Sequence, residues 1–255
     1  MKKLILLIVY AIIIQASVLS QECLPEGIIF STQAQIDSFQ ADFPGCTEIT
    51  GYVTIYGGSI SDLNGLNSLV SIGGNVEIIY NDELTSLQGL NNLTNIGGNL
   101  TVRNNYLLLS LEELGNLTTI NGRLIIESNL ALENLAGFEN ITSIGSGSFY
   151  GLSIDGNFSL ISLTGLENLN SIQGDLYIAN NNLLANLSGL ENVTIIGGHL
   201  EIFNNDSLIS LSGLNNLISI ADDLKIRAND VLFNLNGLEE LNFIGRDLYI
   251  RGDYL

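Results

Sequence analysis

The chain of 255 residues is short of positive charge: eight Lys and Arg stand against 27 Asp and Glu, for a formal charge of −19. Phosphate backbones are held by clustered cations, so nucleic acid is excluded as a partner and anionic membrane surfaces are disfavoured. The acids serve to keep an apolar chain soluble. They occur as singles and doublets such as Asp82-Glu83 and Asp222-Asp223, without the spacing of a calcium-binding EF-hand loop. Histidine is nearly absent, with His199 alone, and no C-x-x-C pair occurs. Sulfur–imidazole metal sites therefore lack their parts, no Ser-His-Asp set is apparent around the single histidine, and no cofactor is expected. Long hydrophobic runs are lacking too. The unbroken stretch Leu4–Ile14 is eleven residues, where a membrane-spanning helix needs about 20.

That stretch follows Lys2 and Lys3 and precedes the small residues Ala16, Ser17 and Ser20. A basic start, a short apolar run and small residues at the cut define a secretory signal, here residues 1–20. Export in turn gives meaning to the two cysteines, Cys23 and Cys46: one pair in an oxidising compartment reads as one disulfide.

From Thr50 onward the chain repeats about every 24 residues. The unit is G-G-x-L-x-I-x-x-N-x-x-L-x-x-L-x-G-L-x-N-L-x-x-I, complete at Gly73–Ile96, with further copies at 97–120, 121–144, 145–172, 173–196, 197–220 and 221–244 and a shorter first copy at 50–72. A fixed period of this length is the mark of a solenoid. The L-x-I alternation predicts a short strand with one face inward. Later apolar positions fall three apart, as in Leu84, Leu87, Leu90, Leu93 and Ile96, but Gly at 65, 89, 137, 165, 189, 213 and 237 interrupts each run. Glycine at one fixed place points to a bend with positive φ rather than a helix. The expected fold is all-β: a right-handed, leucine-rich parallel β-solenoid of about eight coils.

Asparagine recurs after the first strand, at Asn81, Asn105, Asn129, Asn157, Asn181, Asn205 and Asn229, with Gly58 in its place in the first coil. Stacked amides at one corner can bond each other and backbone groups that the turn leaves unpaired. A second column, Asn92, Asn116, Asn140, Asn168, Asn192 and Asn216, marks another corner. Several of these fall in N-x-S/T sequons, which the repeat itself generates.

Residues 21–49 do not repeat. Thr32 and Gln35 form a capping box before a helix over about Gln33–Asp42, with Ile36, Phe39 and Phe43 on one face and Pro44-Gly45 after it. This helical cap, stapled by Cys23–Cys46, would cover the first coil of a solenoid spanning 50–255. At the other end Leu248 and Ile250 begin a ninth coil in the inward register. The expectation is that this chain is an incomplete copy of a longer protein, or associates with itself through that uncapped coil.

A helix between two cysteines, followed by L-x-G-L-x-N-L-x-x-I-G-G-x-L-x-I-x-x-N copies, resembles the receptor L-domain type of leucine-rich solenoid. That coil occurs in the ectodomains of insulin and epidermal growth factor receptors and in secreted bacterial surface proteins. The resemblance covers about Cys23–Leu255 and implies a ligand-binding module.

The functional expectation is a non-enzymatic extracellular or cell-surface protein that presents a solenoid face to a protein or glycan. Outward positions beside the first strand vary: Asn75, Glu77 and Ile79; Asp175, Tyr177 and Ala179; His199, Glu201 and Phe203; Asp223, Lys225 and Arg227; Asp247, Tyr249 and Arg251. The candidate contacts among these are Tyr177, Phe203, Arg227 and Tyr249, since aromatic and Arg side chains anchor interfaces. Phe149 and Tyr150 join them because they sit in a four-residue insertion in the fifth coil, and insertions become loops on one face. Two alternatives are weaker. A polysaccharide-acting β-helix enzyme needs clustered carboxylates beside a base, and none assembles. An ice-binding face needs a regular threonine column, and Thr94, Thr118 and Thr194 are interrupted by Asn170 and Ile218.

Overall fold

The computed structural model describes residues 22–145 and 150–252, and at Tyr150 the backbone alone. The signal segment lies outside the described residues, as do Phe149 and the side chain of Tyr150. The chain winds as a β-solenoid of about nine turns, with one helix near its start.

Ten parallel strands, one from the cap and one from each turn, form the long sheet: β1 (Ile28–Phe30), β2 (Val53–Tyr56), β3 (Val76–Ile79), β4 (Leu100–Arg103), β5 (Leu124–Glu127), β6 (Tyr150–Asp155), β7 (Asp175–Ala179), β8 (Leu200–Phe203), β9 (Leu224–Arg227) and β10 (Leu248–Arg251). Each pairs with the next in the register of the repeat, as in Leu176↔Leu200 and Ile178↔Ile202, with one register shift between Tyr150 and Leu152 where β6 meets β7. Two-residue strands build a second face from the end of each coil, and these form two separate five-stranded sheets. One ends at Thr119–Ile120 and the other starts at Ser143–Ile144. At that joint Gly145 donates its N–H to Gly122 O, whereas Gly97 and Gln173 bond Ile72 and Ile144 in the regular manner. The second face thus loses its register for one coil while the long sheet runs on unbroken.

All seven apolar positions of the unit point inward. In the second coil Val76, Ile78, Leu84, Leu87, Leu90, Leu93 and Ile96 are all at most 1 % exposed. Burial of a Leu or Ile contributes about 2 kcal/mol, and no single coil can bury these residues alone, so stability comes from stacking. In β10 the inward-register Leu248 and Ile250 are exposed.

The bend expected at the recurrent glycine is present in the second coil and from the fourth on: Gly89, Gly137, Gly165, Gly189, Gly213 and Gly237 have φ between 109° and 120°. The third coil, with Glu113 in that place, makes a 3₁₀ turn over Glu112–Leu114. Gly65 differs. It sits in a 3₁₀ turn, Asn64–Leu66, without positive φ, and its need is space, because a Cβ there would lie 1.8 Å from Ile36 O of the helix.

The N-terminal helix, α1 (Gln33–Asp42), starts as expected. Thr32 accepts from Gln35 N–H at 3.4 Å and the Gln35 side chain accepts from Thr32 N–H at 3.1 Å. Its buried Ile36 and Phe39 close the core of the first coil, with the Phe39 ring edge-on to Phe30. A disulfide joins Cys23 and Cys46, whose Cα atoms are 5.8 Å apart.

Candidate functional site

Three polar columns hold the coils together and decide which outward residues are free to bind anything. The first is the asparagine ladder. Asn81, Asn105, Asn129, Asn157, Asn181, Asn205 and Asn229 are all fully buried. Each amide donates to a strand carbonyl of the preceding coil, as Asn129 does to Val102 O at 2.9 Å. Its Oδ1 accepts the backbone N–H of the preceding ladder residue, as Asn129 Oδ1 does from Asn105 at 3.2 Å. The residue before each ladder position takes a left-handed backbone: Tyr80, Asn104, Ser128, Asn180, Asn204 and Ala228 have φ of 53–56°, and Gly156 66°. Non-glycine residues pay about 1 kcal/mol for this conformation, and the ladder bonds offset it.

The first coil lacks this corner. Ile60 N–H bonds Gly57 O where Leu84 N–H bonds Asn81 O. Gly57, not Gly58, therefore stands in the asparagine's place, and the left-handed residue is missing from the shorter copy. Asn81 Oδ1, the acceptor at that end, is buried without a partner among the described residues.

The second column is confirmed by one contact per coil: Asn92, Asn116, Asn140, Asn168, Asn192 and Asn216 each donate to a carbonyl of the coil before, at 2.6–2.8 Å.

A third column overturns part of the sequence reading. Asn75, Asn99, Asp175, His199, Asp223 and Asp247 occupy one outward position that looks variable. Yet Asn75 Oδ1 accepts from Asn99 N–H, Asn99 Oδ1 from Arg123 N–H, Asp175 Oδ1 from His199 N–H, His199 Nδ1 from Asp223 N–H and Asp223 Oδ1 from Asp247 N–H, all at 2.7–3.1 Å. The residue types differ but share an acceptor at the same bond distance from Cα. Their common role is to bond the next coil, and His199 is half-buried rather than a surface group. Ala179, also expected to face outward, is fully buried.

What remains on the outer face of the long sheet separates into two halves. The N-terminal half mixes acidic and polar groups with exposed apolar ones, Ile29 and Tyr56: Glu77 accepts from Thr54, Glu127 accepts from Ser153 and lies 3.7 Å from Arg103, and Asp155 accepts from Asn180. The C-terminal half, β7–β10, gathers aromatic and basic side chains. Tyr177 and Phe203 meet edge to face with centroids 5.5 Å apart. The Arg227 guanidinium lies over the Phe203 ring, 4.7 Å from its centroid, and also bonds Glu201. Three of the expected contacts, Tyr177, Phe203 and Arg227, thus form one stack. Tyr249 lies in the row of Tyr177, in register with Lys225, and its hydroxyl accepts from Arg251. Lys225 pairs with Asp223 at 2.9 Å, which holds the Asp223 carboxyl below its ordinary range and raises the Lys225 ammonium above its own. Phe149 and the Tyr150 side chain lie outside the described residues, so the stack stands without them.

Among the described residues no three metal-ligating side chains come together, and no helix is long and apolar enough to cross a membrane.

The repeating coil, the disulfide-stapled cap and the outward strand rows define a leucine-rich solenoid built for surface contact. The Receptor L domain family matches at residues 45–110 and 108–189, more than half of the chain, and the protein belongs to that family. Receptor L domains are extracellular ligand-binding modules and not enzymes. No curated protein and no solved structure matches the chain.

Proposed function

We propose that the protein is exported through residues 1–20 and binds a protein ligand through the C-terminal half of the long sheet's outer face. The observation that carries this reading is the Tyr177–Phe203–Arg227 stack. It places aromatic area and a partly exposed guanidinium together on a rigid sheet, the composition from which interface hot spots are made. Four of the six Lys and Arg that follow residue 20, namely Lys225, Arg227, Arg246 and Arg251, lie at this end. Lys225, Arg227 and Arg246 are paired with Asp223, Glu201 and Asp222, so this end offers a partner a rim of mixed charge around the rings. A glycan is the second reading, favoured by the Glu201, Asp223 and Lys225 side chains beside the rings, which can bond sugar hydroxyls.

The test uses protein and glycan arrays probed with the wild-type chain and with Phe203→Ala and Arg227→Glu. The expected result is protein hits that both substitutions weaken at least tenfold, the scale of a hot-spot residue, and that Tyr80→Leu at the far end of the sheet leaves unchanged. Hits confined to glycans move the ligand class to saccharides. Binding indifferent to both substitutions removes this face from the reading.

A further inference from the structure

The corner at which the first coil is one residue short opens a cleft of about 380 Å³ lined by Ser31, Tyr56, Gly57, Gly58, Tyr80 and Asp82. It lies at the opposite end of the solenoid from the Tyr177–Phe203–Arg227 stack. Later coils fill this corner with a left-handed residue and a ladder asparagine, and here a Gly-Gly pair leaves it empty. The two rings stand nearly perpendicular, at 85° with centroids 6.0 Å apart, so they form a corner and not a flat platform. Asp82 is exposed at its mouth and has no hydrogen-bond or ion-pair partner among the described residues. Between Tyr80 and Asp82 in the chain lies Asn81, fully buried, with the unpartnered Oδ1 noted above. No cationic side chain lines the cleft.

We propose that this cleft binds a small organic cation, an alkylammonium head presented by a free molecule or by a side chain of another protein. The faces of two tyrosine rings carry negative charge density that attracts a cation within about 6 Å, and Asp82 supplies the formal counter-charge. The chain's charge of −19 raises the local concentration of cations. A pyranose stacks on an open ring face, and the perpendicular pair offers none of that width. An anion meets Asp82 without a compensating cation.

The test is saturation-transfer NMR on the protein with tetramethylammonium chloride, Nα-acetyl-lysine methylamide, the neutral isostere tert-butanol and N-acetylglucosamine as probes. Transfer to the two cations and not to the neutral probes is expected. Tyr80→Leu and Asp82→Asn should each weaken it about tenfold, the scale of a partly desolvated cation–π contact. Gly58→Leu should abolish it, because a Cβ there meets only the flexible Asp82 carboxylate, at 3.2 Å. Phe203→Ala should leave it intact, which separates this cleft from the proposed protein-binding face. Stronger transfer to the lysine amide identifies a protein side chain as the source, and stronger transfer to tetramethylammonium a free cation. Equal transfer to tert-butanol, stronger transfer to N-acetylglucosamine, or cation binding that survives Gly58→Leu in a folded variant overturns the proposal.

Discussion

The imidazole Nδ1 of His199 accepts the backbone N–H of Asp223 from the next coil at 3.1 Å, in the place where asparagine and aspartate Oδ1 atoms serve elsewhere in the column. An asparagine at 199 keeps an acceptor at the same distance from Cα, and a leucine removes it. His199→Asn should melt within a degree or two of wild type, while His199→Leu should lose about 1 kcal/mol, the low end for stranding a partly covered N–H. Thermal unfolding by circular dichroism measures both, and equal stability of the two variants would show that the column does not bind the coils.

Leu187 is fully buried and Tyr177 half-exposed on the outer face. Leu187→Asp places an unpaired carboxylate in the core and should cost several kcal/mol, enough to unfold most of the molecule. Tyr177→Asp should change stability by under about 1 kcal/mol. Similar melting temperatures would refute the inward register.

Asn129 spans three coils through Val102 O, the Asn105 backbone N–H and Asn157 Oδ1. Replacing it with Leu leaves the buried Asn105 N–H without an acceptor, at a cost of about 1–3 kcal/mol, and strips Val102 O of the bond it makes beyond the strand ladder. Asn192, exposed at the other corner and bonded to a single carbonyl, should tolerate Ala at a cost of about 0.5–1.5 kcal/mol. Chemical denaturation of the two variants ranks them directly, and a cheaper change at 129 than at 192 would overturn the ladder's role.

Asp223 carries its carboxyl below the ordinary range, chiefly through its hydrogen bond with Lys225 and then through Asp247 N–H. A lowered acid pKa contributes stability above the unfolded value that is lost as pH falls through the folded one. The raised Lys225 contributes below the ordinary lysine range and loses that as pH rises through its folded value. The pair therefore stabilises across the neutral window and fades at both extremes. Asp223→Asn keeps an Oδ1 acceptor for Asp247 while removing the charge. Its melting temperature should fall less than that of wild type between neutrality and the carboxylate range, and parallel acid profiles would count against the pair.

The repeat made the coil, its inward residues and two amide columns legible, because identical demands at every level select identical residues. The third column was hidden for the opposite reason. Asn, Asp and His satisfy one geometric demand with three names, so it reads as variation, and a search for short-armed acceptors at one fixed position would have found it. The left-handed corner was hidden as well, since Tyr80, Ser128 and Ala228 adopt a backbone that none of them prefers. Gly58 was placed one residue off, because the short copy's missing residue shows only in which carbonyl Ile60 bonds. Of the candidate contacts, residue type alone singled out Tyr177, Phe203 and Arg227. That they stack follows from coil register, which puts Phe203 beside Arg227 and diagonal to Tyr177.

The lapse in pairing between Thr119–Ile120 and Ser143–Ile144 has a mechanical consequence. A rod under axial load carries the same force through every joint, so it yields where fewest bonds resist. Here one joint keeps its long sheet and asparagine ladder but lacks the strand pairing that its neighbours have on the opposite side. Pulled from its ends, the molecule should hinge open at that seam like a book with its spine on the long sheet. Single-molecule stretching should show an early extension step there, and a uniform rupture pattern along the rod would show the joint to be as strong as the rest.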